Sequence, residues 1–168
     1  MCKQMTQRHE IEADIQRELT RCEKSIRNTG KIVIPMIIID MEKMFIANKI
    51  YFEQNGFCFE DSTRVENGAI KHFAIMRPIF NGEMAEAIRM RIQEAQKDFI
   101  MCQRSSLQKD FAKSVSEEGG RKKAQVLVDM REISCDNKSY FEGEGYYFAP
   151  KLSCDGEESV FFAWLRKY

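Results

Sequence analysis

"PMIIIDMEKMFIANKIYFEQNG", residues 35–56, can be read with either of two periods, and the choice fixes the fold. Its isoleucines favour a strand, because β-branched side chains pack well on a pleated surface. No turn residue interrupts the segment, however, before Asn55-Gly56. Pro35 suits a first helical position, where its missing N–H costs nothing. Wound as a helix, residues 36–55 place Glu42, Lys49 and Glu53 on one narrow polar strip and cover the remaining circumference with apolar groups. The segment is therefore expected to be a largely buried helix, with a strand over residues 31–39 as the alternative.

Upstream, residues 5–28 carry Ile11, Ile15, Leu19, Cys22 and Ile26 at helical spacing with charges between them, and Gly30 offers a stop. This amphipathic helix is expected to pack on its own domain; pairing with a second copy, giving a homodimer, is the other use of its stripe. Downstream the period shortens. In "FCFEDSTRVE" apolar Phe57, Phe59 and Val65 alternate with polar neighbours, and Asn67-Gly68 tolerates the positive φ of a hairpin turn. "AIKHFAIM" returns as the second strand up to Pro78. A helix follows over residues 81–103, with Ile88, Ile92, Ala95, Phe99 and Cys102 on one stripe. Ser105 and Gln108 have capping-box spacing, so a second helix starts there and runs to Gly119-Gly120, or the two fuse into one rod. After Gly119-Gly120, "KAQVLVDMREI", "GYYFAPKL" and "SVFFAWLRKY" read as three strands, the last two joined by a turn at Asp155-Gly156.

The expected fold is α+β: a single five-stranded, mainly antiparallel sheet, made from a β-hairpin and a three-stranded meander, packed with helices behind the N-terminal helix. This order of elements resembles that of PAS- and GAF-type sensor domains, and the resemblance implies a small-ligand pocket between sheet and helices. No repeat is evident beyond Ser134-Cys135-Asp136, which returns as Ser153-Cys154-Asp155. Both copies read as turns bracketing the central strand of the meander.

At 168 residues the chain fits one domain with a core of its own. Lysine plus arginine equals aspartate plus glutamate, so no global field draws nucleic acid or an anionic membrane. The longest apolar run, Ile32 to Ile39, is too short to cross a bilayer, which needs about twenty residues. Six cysteines without close spacing, behind an N-terminus with no apolar signal region, suggest reduced thiols in a cytoplasmic protein. On that reading the sequon Asn137-Lys138-Ser139 goes unused.

The residue pattern argues against several chemistries. No cysteine or histidine pair has zinc spacing, and His9 and His72 are the only histidines. Cys22, Cys58 and Cys102 fall on apolar faces, where a thiol behaves as a small hydrophobe. His72 is the one base available to a cysteine nucleophile, no G-x-S-x-G is present, and no glycine pair has the strand–loop–helix setting of a phosphate loop. No metal and no cofactor is expected. The remaining catalytic candidates are Asp40, Asp129 and Glu132, acids beside apolar runs that suit Mg²⁺-dependent cleavage of nucleic acid.

Charge and aromatics point instead to contacts. Basic residues outnumber acidic ones between Arg89 and Lys123, and the reverse holds from Asp136 to Glu158. Arg104, Lys109, Lys113, Arg121, Lys122 and Lys123 are the partner-binding candidates on the basic side. Tyr147 and Trp164 are those among the strand aromatics, half of which must face away from a core. The expected function is that of a non-enzymatic regulatory protein that docks a protein partner. A ligand-sensing domain and a metal-dependent nucleic-acid enzyme are the rivals, and nucleic acid is a less favoured partner.

Overall fold

A computed structural model describes residues 2–168. In chain order the elements are α1 (Lys3–Thr29), β1 (Ile37–Asp40), α2 (Ile46–Gln54), β2 (Phe57–Asp61), β3 (Arg64–Glu66), β4 (Ala69–Lys71), β5 (Phe73–Pro78), α3 (Glu83–Lys113), β6 (Ser116–Glu118), β7 (Arg121–Lys123), β8 (Val126–Asp129), α4 (Cys135–Gly143), β9 (Tyr146–Leu152) and β10 (Glu158–Lys167). The chain divides into two compact units, one ending at Gln96 and one spanning Lys97–Tyr168. The boundary falls inside α3.

The α+β class is as expected, but the single five-stranded sheet is not formed. Strands pair instead as two separate three-stranded antiparallel sheets, β1-β5-β2 and β8-β10-β9, with two-stranded ribbons β3-β4 and β6-β7. The PAS- or GAF-like order of elements therefore does not build the sheet that it implied. The physical reason lies in residues 35–56. Asp40 accepts a hydrogen bond from the Glu42 N–H at 3.1 Å, an Asx turn that ends the isoleucine strand after four residues. The chain then reverses through Met41–Lys43 before α2 begins at Ile46. The expected long helix is thus strand, turn and short helix, and the isoleucine run joins β5 in the register Ile37↔Met76 to Asp40↔Phe73.

In the first unit α1 lays its whole apolar stripe inward. Ile11, Ile15, Leu19, Cys22 and Ile26 are all buried, against Ile39, Phe52, Phe57, Met76 and the first part of α3 through Ile88, Ile92 and Ala95. Gly30, at φ 71°, closes α1 by donating its N–H to the Ile26 carbonyl at 2.7 Å. Buried Glu23 is neutralised by Arg91 of α3 and by Arg27 at 3.4 Å. Gly56 and Gly82 are in contact at backbone distance. A Cβ on Gly82 would stand 2.4 Å from the Asn55 carbonyl carbon, so the entry to α3 requires glycine there.

The second unit has its own core of Val128, Phe141 and Leu165, lined by Leu107 and Phe111 of α3 and by Tyr140, Tyr146 and Phe148. Helix α3 is one continuous rod, so Ser105 and Gln108 do not open a new helix, and it ends at Lys113, short of Gly119-Gly120, whose positive φ values turn the β6–β7 ribbon instead. Cys102, placed by the sequence on an apolar stripe, is exposed. The expected long strand over "KAQVLVDMREI" shrinks to Val126–Asp129, and α4 was not foreseen.

The two units repeat one design. Strand, Asx turn, short helix and hairpin recur at a constant offset, the one separating Asp40 from Asp129. At that offset Met41, Asn48, Lys49, Tyr51, Phe52, Glu53, Gly56 and Phe59 meet Met130, Asn137, Lys138, Tyr140, Phe141, Glu142, Gly145 and Phe148. The repeat expected to be absent is therefore present, and the Ser-Cys-Asp echo is no part of it. Ser134 caps α4 by accepting the Asn137 N–H, whereas Ser153–Gly156 turns between β9 and β10.

One buried amide organises each unit. Asn48 is fully buried; its amide donates to the Gln4 carbonyl and to Gln7 Oε1, both at 2.9 Å, and its oxygen accepts from Arg8 Nε at 3.1 Å. Asn137, also fully buried, donates to the Ile100 carbonyl at 2.9 Å and to Gln103 Oε1 at 2.8 Å, and accepts from Arg104 Nε at 3.0 Å. Truncating either residue strands several half-buried polar groups. Asn48→Ala and Asn137→Ala are each expected to cost about 2–3 kcal/mol in chemical denaturation. Hydrogen exchange should rise around β1–α2 for the first variant and around β8–α4 for the second.

Candidate functional site

The acids singled out for catalysis hold structural posts. Asp40 and Asp129 are counterparts, each ending a strand with the same Asx turn, to the Glu42 N–H at 3.1 Å and the Arg131 N–H at 3.0 Å. The Arg131 guanidinium binds Asp129 at 2.8 Å and holds its carboxyl below the usual aspartate value, helped by that backbone N–H. Glu132 offers its backbone carbonyl to Gln103 Nε2 at 2.7 Å. Asp40 belongs to the first unit, Asp129 and Glu132 to the second. Among the described residues no group of three His, Cys, Asp or Glu side chains is placed to hold a metal ion.

Arg104 likewise turns out to be part of the scaffold. Its guanidinium lies 3.9 Å from the Tyr140 ring centroid while Nε binds Asn137, as Arg8 lies 3.9 Å from the Tyr51 ring and binds Asn48. Lys109 and Lys113 are exposed along the last turns of α3. Arg121, Lys122 and Lys123 form β7, and across the ribbon they face Glu118, Glu117 and Ser116; Lys123 pairs with Glu118 at 3.1 Å. Asn137 of the sequon is buried with both amide hydrogens engaged, so it is closed to modification in the folded chain.

What packing does not explain in the repeat is a surface groove. In the first unit Lys49, Glu53, Phe57, Cys58, Phe59 and Ile79 line a groove of about 420 Å³ between α2 and β2. In the second unit Lys138, Glu142, Tyr146, Tyr147, Phe148 and Tyr168 line one of about 490 Å³ between α4 and β9, with further residues of β10. These are the same positions under the repeat offset. Lys49 pairs with Glu53 at 2.5 Å and Lys138 with Glu142 at 3.7 Å, half-exposed pairs that contribute little to stability and yet stand in both units.

Each groove runs beside an open strand edge, since β2 and β9 pair on one side only. The Ile79 N–H donates to the Gly56 carbonyl at 2.7 Å and the Tyr168 N–H to the Gly145 carbonyl at 3.0 Å. Antiparallel alternation then turns the amides of Cys58 and Tyr147 toward their sheets and leaves those of Phe57, Phe59, Tyr146 and Phe148 on the open side. Pro150 stands at the next outward position of β9, where a missing N–H breaks no ladder bond.

The outer faces of the two sheets differ more than their cores. Cys58, Glu60 and Ile75 of the first unit become Tyr147, Ala149 and Trp164 in the second. Register places Tyr147 opposite Arg166 and Trp164 opposite Ala149 and Leu127, so the two aromatics singled out in the sequence share one face. Signal for the groove was present as "NKIYFE" and "NKSYFE", whose common letters mark both packing and the Lys–Glu pair.

A scan against family models and searches of characterised proteins and of solved structures found no match to this chain.

All six thiols are free. Cys22 is buried, which pushes its thiol pKa up, while Cys2, Cys102, Cys135 and Cys154 are exposed. Alkylation of the native chain near neutral pH is expected to label those four quickly and Cys22 only on unfolding, read by intact-mass and peptide mass spectrometry.

Proposed function

We propose that this chain is a non-enzymatic binding protein that captures extended segments of a protein partner in its two repeated grooves. The observation carrying this reading is that the same six positions line a groove beside an open strand edge in both units, with Lys, Glu and Phe identical. An edge with unsatisfied amides accepts a guest strand by main-chain hydrogen bonds, and the pockets beside it select alternate side chains. The aromatic and aliphatic walls suit apolar side chains of the guest. The flanking Lys49–Glu53 and Lys138–Glu142 pairs suit its peptide dipoles or a charged residue of either sign.

Dimerisation through α1 receives no support from the helix stripe, because that stripe is consumed inside its own unit. No described helix is long and apolar enough to cross a membrane. The Asp40 and Asp129 carboxylates are committed to turns, which favours binding over catalysis.

Peptide-display selection on the whole chain tests the reading. Enriched peptides are expected to bind at two sites in calorimetry, with Lys49→Glu and Lys138→Glu each weakening one. N-methylation of alternate peptide amides should abolish binding, while methylation of the intervening amides should not. Binding indifferent to N-methylation, or to both charge reversals together, rejects strand capture in these grooves.

A further inference from the structure

We propose that the second unit carries a further site, for single-stranded nucleic acid, on the outer face of β9–β10 where the β6–β7 ribbon overhangs it; it shares Tyr147 with the α4–β9 groove. A cleft of about 620 Å³ lies there, and its lining includes Lys122, Lys123, Arg166, Lys167 and Tyr147 against one carboxylate, Glu118. That carboxylate is already engaged by Lys123 at 3.1 Å. The surplus of positive charge inside a concave surface selects an anion.

Comparison of the two units shows how the surplus arises. Arg77 of the first unit is answered across the sheet by Glu60 at 3.4 Å. Its counterpart Arg166 has Ala149 in place of that glutamate and, among the described residues, donates to the neutral Gln125 side chain, at 3.0 Å. Pro78 is likewise replaced by Lys167. One copy of the design thus keeps its outer arginine neutralised, and the other leaves it free to meet phosphate.

The aromatic half of the site stands on the same face. Tyr147 is paired with Arg166, and Trp164 lies two residues before that arginine on the same side of β10. The Tyr147 and Tyr168 rings lie 4.7 Å apart, tilted by 38°. Cations come from two separate strands, β7 and β10, beside the Tyr147 ring, with Trp164 further along the same face, an arrangement that suits a strand of phosphates and bases better than one small anion. A duplex would present its phosphates but keep its bases from the rings, so the geometry favours an unpaired strand.

Trp164 is the single tryptophan, so its fluorescence reports on this face alone. The whole chain is titrated with an oligothymidylate and an oligouridylate of about twelve nucleotides, a duplex of that length, and heparin. Both single strands are expected to quench Trp164 saturably and to bind at least tenfold more tightly than the duplex. Affinity should fall roughly tenfold between 50 and 200 mM salt, as release of counterions from two or three phosphates requires. Lys122→Glu with Lys123→Glu, at exposed ribbon positions, should weaken binding tenfold or more, and Arg166→Gln severalfold. Lys49→Glu and Lys138→Glu, which test the peptide grooves, should leave this binding unchanged. Heparin binding as tight as the oligonucleotides without quenching, no single-strand binding at low salt, or full affinity in the Lys122/Lys123 double variant overturns the proposal. None of those results bears on strand capture, whose readout is peptide N-methylation.

Discussion

Each unit depends on a buried carboxamide that ties a long helix to the turn after a strand. Asn48 and Asn137 reach from the short helices into α1 and α3, and Gln7 and Gln103 complete the tie from the other side. Each glutamine donates to the turn carbonyl of Lys43 or Glu132 and accepts the N–H of Phe45 or Ser134. Among the described residues no buried side-chain nitrogen or oxygen lacks a partner. An amide in this position specifies geometry as well as contributing energy, because a shifted helix would leave buried polar groups unmet. The apolar contacts around it, Phe52 and Phe141 above all, are buried but non-directional. The amide adds direction.

Local signals were legible where one element fills one period. The stripe of α1, the Asn67-Gly68 hairpin, and the aromatic strands of β9 and β10 all stand where their patterns put them. Residues 35–56 were misread because the decisive event is a single side-chain hydrogen bond at Asp40, which leaves no trace in apolar periodicity. The missed helix α4 shares that cause: Asp129 closes the strand and Ser134 caps the helix, in a stretch whose β-branched start masked both. The duplication escaped notice for a related reason. Its common letters are dispersed, and the contiguous Ser-Cys-Asp echo drew attention to unrelated turns. Of the candidate site residues, Tyr147, Lys122 and Lys123 meet at one cleft, while Arg104, Asp129 and Asp40 support the backbone.

A duplication inside one chain separates scaffold from surface without any second protein to compare. Positions that agree and are buried, such as Asn48 and Asn137 or Phe52 and Phe141, need only packing to explain them. Agreement at exposed positions has no such explanation, which gives the Lys–Glu pairs beside the open edges their weight. Disagreement is equally informative. Exchange of Glu60 for Ala149 and Cys58 for Tyr147 changes the charge and flatness of one outer face while leaving its sheet intact.

Pro150 has a consequence for solubility. An open strand edge is a template for any like strand, including a second copy of itself, and long unbroken edges seed aggregates. In β9 the outward row of donors stops at Pro150, and at the matching place in β2 stands the exposed carboxylate of Asp61. Pro150 removes an outward amide from β9, and Asp61 sets a charge at the same place in β2. The edges are thus long enough for a short guest, while the run of donors that a second copy could extend is kept short.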